Sequence, residues 1–206
     1  YVAEITLGEG NNEATASVGY TIAPKPVTVT GITAENKIYD GSTGATLNHE
    51  SATIQGKVDN DDLSYNADIA TGAFSDKNVG EGKTVSISGL TLSGNDAAQP
   101  ASVTADISPK PVTVSGITAE DKTYDGTTDA TLDCANATFN GIVDNDNLTV
   151  TATGAFENAN VGEKTVNISG LTLDGTDKGN YVLAATGQQT TETATIDPKS
   201  ISNATV

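Results

Sequence analysis

The sequence has no methionine, no tryptophan and a single cysteine, Cys134. With no methionine to start it, the chain reads as an excised piece of a longer protein. One cysteine excludes an intrachain disulfide and leaves the redox compartment open. Arginine is also missing, since all ten basic residues are lysines. This removes the side chain best suited to bidentate recognition of carboxylates and phosphates. Acidic residues number 27 and the net charge is −17. A nucleic-acid ligand is thereby disfavoured, because phosphate binding needs clustered cations. The same charge favours solubility and opposes self-association. No apolar run is long enough to cross a membrane as a helix, and no signal peptide is visible. No membrane insertion is expected of this stretch.

What remains is threonine, valine, glycine, asparagine and aspartate in abundance. Thr and Val favour strands, while Gly, Asn and Asp favour turns. Short alternating runs are plain: Val27, Val29 and Ile32; Val112, Val114 and Ile117; Val85, Ile87, Leu90 and Leu92, broken at Gly89; and Val166, Ile168, Leu171 and Leu173. Runs of this kind bounded by turn residues indicate antiparallel β structure. No helical period is present over a useful length.

The strongest signal is internal repetition. Residues 25–47 read KPVTVTGITAENKIYDGSTGATL, and residues 110–132 read KPVTVSGITAEDKTYDGTTDATL. The match continues through GKVDNDDL (56–63) and GIVDNDNL (141–148), then through TGAF in both and NVGEGKTV (78–85) against NVGEKTV (160–166). The expected fold is all-β: tandem small antiparallel domains, sandwich-like or alternatively β-grasp-like, strung into a rod. The divisions are 1–23, the terminal hairpin of a preceding repeat; 24–109, repeat 1; 110–199, repeat 2; and 200–206, the first strand of a following module. Within the hairpin, Val2–Leu7 and Ala14–Ile22 read as strands and Gly8–Asn12 as the turn. Proline in the joints (Pro24, Pro26, Pro109, Pro111) favours stiff connections. The repeats differ in one place. GNYVLAATGQQTTETATIDPK (179–199) has a Tyr-bearing segment that repeat 1 lacks.

The motif K-x-YDG-x-T at Lys37–Thr43 and Lys122–Thr128, followed by F-x-x-x-NVG, resembles the YDG-type repeat of bacterial surface proteins. That resemblance implies long tandem arrays in filamentous-haemagglutinin-like and cell-wall adhesins. It places the chain outside the cell, at a bacterial surface or secreted. It implies a structural stalk or spacer that projects a distal binding domain, with neighbouring repeats as partners. The alternative is a module that binds host glycan or mucin weakly, with affinity supplied by tandem display. Tyr20, Tyr65 and Tyr181 could serve such binding, but they do not recur at matched positions, which favours the spacer. A host protein is a further candidate partner. The resemblance brings no catalytic residues.

Candidate residues follow from the repeats. Tyr39, Asp40 and Gly41, with Tyr124, Asp125 and Gly126, read as a structural motif in which an Asp-Gly turn needs a glycine tolerant of positive φ. Asp59 and Asp61, with Asp144 and Asp146, are the candidate metal ligands. Their loops offer several oxygens of the kind Ca²⁺ takes, but lack the EF-hand spacing; a solvated polar turn is the preferred reading. No other cofactor is indicated. His49 and Cys134 occupy one equivalent position, so neither reads as catalytic. No nucleophile–base set recurs, and no enzymatic activity is expected. Lys37, Lys83, Lys122 and Lys164 recur, as do Asn78 and Asn160, which raises an isopeptide cross-link. Such a bond needs an apolar pocket and a nearby acid, and aromatics at 4 % make that pocket doubtful.

Overall fold

The computed structural model describes residues 2–7, 14–21, 25–93 and 102–201. Regular structure in them is almost entirely β. One 3₁₀ turn, Lys178–Asn180, is the only helical element among the described residues. The chain divides into two compact units. One comprises residues 1–34, 45–73 and 85–103, the other 35–44, 74–84 and 104–206. The YDG turn of repeat 1 and its NVG segment therefore belong to the same unit as all of repeat 2.

In the first unit, Val2–Leu7 pairs antiparallel with Ala14–Gly19. The turn expected at Gly8–Asn12 lies outside the described residues. Strand Thr28–Thr30 pairs antiparallel with Thr53–Gln55, Thr33–Ala34 with Leu47–Asn48, and Thr91–Ser93 with Ser64–Asn66. Val29, Ile32, Ala67, Ile87 and Leu90 form its core, with Leu47, Ile54 and Tyr65 packed around them. Val29, Ile32, Ile87 and Leu90 belong to the alternating runs. The break at Gly89 is a left-handed residue, φ +76°, where a Cβ would lie 2.6 Å from the Ile69 carbonyl oxygen.

The second unit is a sandwich. Its larger sheet has the order Lys122–Thr123, Thr191–Asp197, Gly162–Asp174, Thr149–Phe156, Asp129–Ala130. Its smaller sheet has the order Thr138–Asn140, Lys110–Ser115, Tyr181–Leu183. Val114 and Ile117 meet Val150 and Ile168 between the sheets, each almost wholly buried. A second cluster, Phe156, Val166, Ala194 and Ile196, fills the other end. The long hairpin is interrupted once. The register shifts between Thr151 and Thr153, opposite Gly170 at φ +64°. A residue that tolerates left-handed backbone lets one strand carry an extra residue there.

Antiparallel pairing predominates, as expected, but it is not universal. Lys122–Thr123 runs parallel to Ile196–Asp197, and Lys110–Val112 runs parallel to Tyr181–Leu183. Lys37–Ile38 likewise runs parallel to Ile107–Ser108. Alternation reports which face a residue occupies, and that is the same for either strand direction. The Lys110–Ser115 strand is also satisfied by side chains. Gln188 Oε1 accepts from Val114 N at 2.8 Å, and Gln189 Oε1 accepts from Ile117 N at 2.9 Å. These amides do what a neighbouring strand would do for buried backbone groups. Of the segment expected to open a following module, Ser200 and Ile201 are not in a strand, and 202–206 lie outside the described residues.

Candidate functional site

The YDG turn is built twice with nearly the same dimensions. Lys37 Nζ donates to Asp40 Oδ1 at 2.8 Å, Ser42 O at 2.9 Å and Gly44 O at 3.0 Å, and it lies 5.5 Å from the Phe74 ring centroid. Lys122 Nζ donates to Asp125 Oδ1 at 2.9 Å, Thr127 O at 3.0 Å and Asp129 O at 3.0 Å, with the Phe156 centroid 5.4 Å away. The aspartate also accepts from the amide two residues on, Ser42 N or Thr127 N, at 2.8 Å. That local bond is the usual reason for aspartate in a turn. Gly41 and Gly126 follow at φ +79° and +83°, in the left-handed region. The motif is therefore a lysine-centred turn. Backbone and side-chain donation from Thr127, together with Lys122, holds the Asp125 carboxyl down to about 2. Burial pushes Asp40 upward, but donation from Lys37 and Ser42 outweighs it and leaves its pKa lowered. Three of the recurrent lysines thus meet aspartates as ion pairs, Lys83 Nζ standing 2.7 Å from Asp76 Oδ1, whereas Lys164 Nζ donates to Glu163 O at 3.3 Å.

The tyrosines of the two motifs part company. Tyr39 is 1 % exposed and Tyr124 is 41 % exposed. Around Tyr39 a polar junction is assembled from repeat 2. Tyr39 OH donates to Asp146 Oδ2 at 2.9 Å, and Tyr181 OH donates to the same oxygen at 2.5 Å. Lys77 Nζ stands 3.5 Å from Asp146 Oδ1, whose side chain is only 4 % exposed. The Tyr181 hydroxyl in turn accepts from Val143 N at 3.0 Å. The two rings meet edge-on, centroids 5.5 Å apart and planes 76° apart, a favoured aromatic geometry. Alongside, Asn180 Oδ1 accepts from Val79 N at 3.0 Å. Asn180 Nδ2 faces Asn78 Oδ1 at 3.4 Å. Gly41 completes the fit, because a Cβ there would sit 2.7 Å from Val143 Cγ1.

The electrostatics of this junction are internally consistent. Burial works to raise the Asp146 carboxyl, but donation from Tyr181 and Tyr39 and the Lys77 charge outweigh it, so its pKa is lowered. Burial and the Asp146 carboxylate push both Tyr39 and Tyr181 upward. Contact with Tyr39 and Asp146 raises Lys77. The result is an ionised aspartate, nearly inaccessible to water, held by two neutral phenols and an ammonium. Among the described residues, no buried side-chain nitrogen or oxygen lacks a hydrogen-bond partner.

The carboxylates of the acidic loops lie in different settings. Asp146 Oδ2 accepts from two hydroxyls and its Oδ1 faces the Lys77 ammonium. Asp61, its counterpart, accepts from Val58 N at 3.2 Å within its own loop. Asp59 and Asp144 are exposed. Among the described residues, no three His, Cys, Asp or Glu side chains converge to hold a metal ion. The loops share an unusual backbone: Asn60 and Asn145 are left-handed at φ +73° and +70°. His49 Nε2 lies 3.7 Å from Asp68 Oδ1 at the surface, while Cys134 is half-buried against the core. Of the tyrosines proposed for glycan contact, Tyr181 is enclosed in the junction and Tyr65 OH donates to Ala52 O at 3.0 Å. Tyr20 is 48 % exposed. Sequence reasoning did not find the partnership of Asp146 with Tyr39, 107 residues away. The available signal was that Asn180 and Tyr181 occur in repeat 2 alone.

No curated protein and no solved structure matches the chain. The family model described as YDG domain matches it twice, over residues 23–99 and 108–203. The two matched stretches contain both lysine-centred turns and the whole Tyr39–Asp146–Tyr181 junction, and they span most of the sequence. The chain belongs to the YDG domain family.

Proposed function

We propose that these repeats are structural spacers in a bacterial cell-surface adhesin, held outside the cell and carrying a distal binding domain away from it. The observation that supports this reading most is the use made of the signature tyrosine. Tyr39 is not presented to solvent as a recognition tip. It is buried against Asp146 and Tyr181 of the next repeat in the sequence. A motif spent on joining one repeat to the next suits a chain whose task is to propagate its own architecture. Each repeat in such an array stabilises its neighbour through the shared interface. The net charge of −17 suits an exposed, non-aggregating surface.

A glycan- and mucin-array screen of the chain, displayed both singly and as clustered multimers, tests the proposal. The spacer reading expects no specific signal in either format. Binding that appears on clustering and that competes with a soluble sugar would favour the module acting by avidity. Tyr20 and Tyr124, both substantially exposed, are the side chains to vary if it does.

A further inference from the structure

The face around Tyr124 repeats the face around Tyr39, position by position. Tyr39 N donates to Ser108 O at 2.9 Å, and Tyr124 N donates to Asp197 O at 2.8 Å. Each tyrosine therefore sits where the last strand of its repeat ends. Immediately after that end comes a Pro-Lys pair, Pro109–Lys110 in one case and Pro198–Lys199 in the other, followed by Pro111 and by Ser200. Val161 is the counterpart of Val79, and Gly126 of Gly41.

The difference is in what covers them. Val143 closes over Gly41, whereas a Cβ on Gly126 would meet nothing within 4 Å. The Val79 amide is held by Asn180, whereas Val161 is 46 % exposed. Tyr39 is buried and Tyr124 is 41 % exposed. An open groove runs beside this face, lined by Tyr124, Val161, Pro198, Lys199, Ser200 and Ile201. The polypeptide leaving repeat 2 thus runs along the groove, just as the polypeptide leaving repeat 1 emerges at Tyr39.

We propose that the Tyr124–Val161 face is an acceptor for a further repeat of the same kind, joined through Pro198–Lys199. The incoming repeat presents the counterparts of Asp146, Asn180 and Tyr181. Its aspartate accepts the Tyr124 hydroxyl, its tyrosine ring packs edge-on against Tyr124, and its asparagine accepts the Val161 amide. This rests on the tandem-array reading and adds to it a specific chemistry of joining. The acceptor lacks one of the groups that meet the aspartate in its counterpart. Ala159 stands where repeat 1 has Lys77, so the second junction lacks the ammonium beside the aspartate. A repeat whose loop carries aspartate but whose tail lacks the Asn-Tyr pair, as in repeat 1, supplies only part of the contact. The groove therefore selects repeats of the second type.

The test extends the natural chain. Residues 1–198 are followed by a second copy of residues 110–201, which reproduces the Pro-Lys-Pro joint and in which the copy's own counterpart of Tyr124 is changed to Phe, so that peptide mapping reads Tyr124 of the original repeat alone. Both proteins are treated with tetranitromethane, and nitration of each tyrosine is followed by peptide mass mapping. In the original chain Tyr124 should react quickly and Tyr39 slowly. In the extended chain Tyr124 should slow at least tenfold, toward the rate of Tyr39. Changing the counterpart of Tyr181 to Phe, or that of Asp146 to Asn, in the added copy should restore much of the reactivity. Hydrogen exchange of the added copy's own strands checks that each variant is folded. Unchanged nitration of Tyr124 in a folded extended chain overturns the inference and leaves the spacer reading standing. A sugar hit on the original chain removes the spacer reading without altering the nitration result.

Discussion

Replacing one hydroxyl at two equivalent places isolates what the junction contributes. Tyr39→Phe removes the donor to Asp146 Oδ2 and leaves the ring and its edge-on contact with Tyr181 in place. A hydrogen bond to a charged acceptor contributes about 1.5–3 kcal/mol net. The aspartate side chain is nearly inaccessible to water, which cannot readily replace the lost donor. Tyr181 remains as one donor to the same oxygen, at 2.5 Å, and Lys77 remains on the other side. These keep the loss toward the lower half of that range, about 2 kcal/mol. Tyr124→Phe changes the same atom in the same motif where the side chain is 41 % exposed. Exposed substitutions of this kind usually stay within about 0.5 kcal/mol. Urea unfolding followed by tyrosine emission, which no tryptophan obscures, reads both. Small domains lose about 1–3 kcal/mol of stability per molar urea, so Tyr39→Phe should lower the midpoint by roughly 1 M at unchanged slope. Tyr124→Phe should leave the midpoint in place. Equal effects at the two positions, of either size, would show that the buried aspartate is not what the signature tyrosine is for.

The glycines of the motif should separate in the same way. Gly126→Ala places a side chain on left-handed backbone in open space and should cost about 1–2 kcal/mol. Gly41→Ala adds a collision with Val143 Cγ1 at 2.7 Å, and a further ~1–3 kcal/mol is expected from overpacking in a urea titration. The acid limb follows from Asp146 and the turn aspartates, whose pKa values are lowered in the folded chain. The unfolded chain then binds more protons, so the stabilisation is full above the unfolded carboxylate value near ~4 and is lost as pH falls through the lowered folded values, about 2 for Asp125. At the other extreme Tyr39 and Tyr181 are raised. Their contribution is full below the unfolded value of ~10 and is lost as pH climbs through the folded values. Urea midpoints measured from pH 2 to 11 should fall at both ends, and Tyr39→Phe should blunt the alkaline fall. Adding millimolar Ca²⁺ should leave the melting temperature unchanged. A rise that Asp59→Asn with Asp144→Asn abolishes would make the exposed ends of the acidic loops a cation site.

Much of the architecture could be read without coordinates because it depends on local period. Val112, Val114 and Ile117 alternate in the sequence, and all are wholly buried. The YDG turn is local too. Lys122, Asp125 and Thr127 lie within a few residues of one another, so composition and spacing already carry the geometry. Strand direction is a different matter. The parallel pairings of Lys110–Val112 and Lys122–Thr123 join segments about 70 residues apart, and alternation looks the same for either direction.

By itself, then, the sequence determined an all-β chain with two like repeats, glycine-dependent turns and an acidic surface. These properties follow from residue type and short-range spacing. Only the tertiary structure decided that Tyr39 and Tyr124, equal in sequence, differ in environment. It alone also made Asp146 a buried hydrogen-bond acceptor rather than a solvated loop carboxylate. The physical reason is that desolvation belongs to a place and not to a residue. A phenol or carboxylate is buried only when something distant in the chain closes over it. Asn180 and Tyr181 perform that closure for repeat 1, and the counterpart face at Tyr124 is left open.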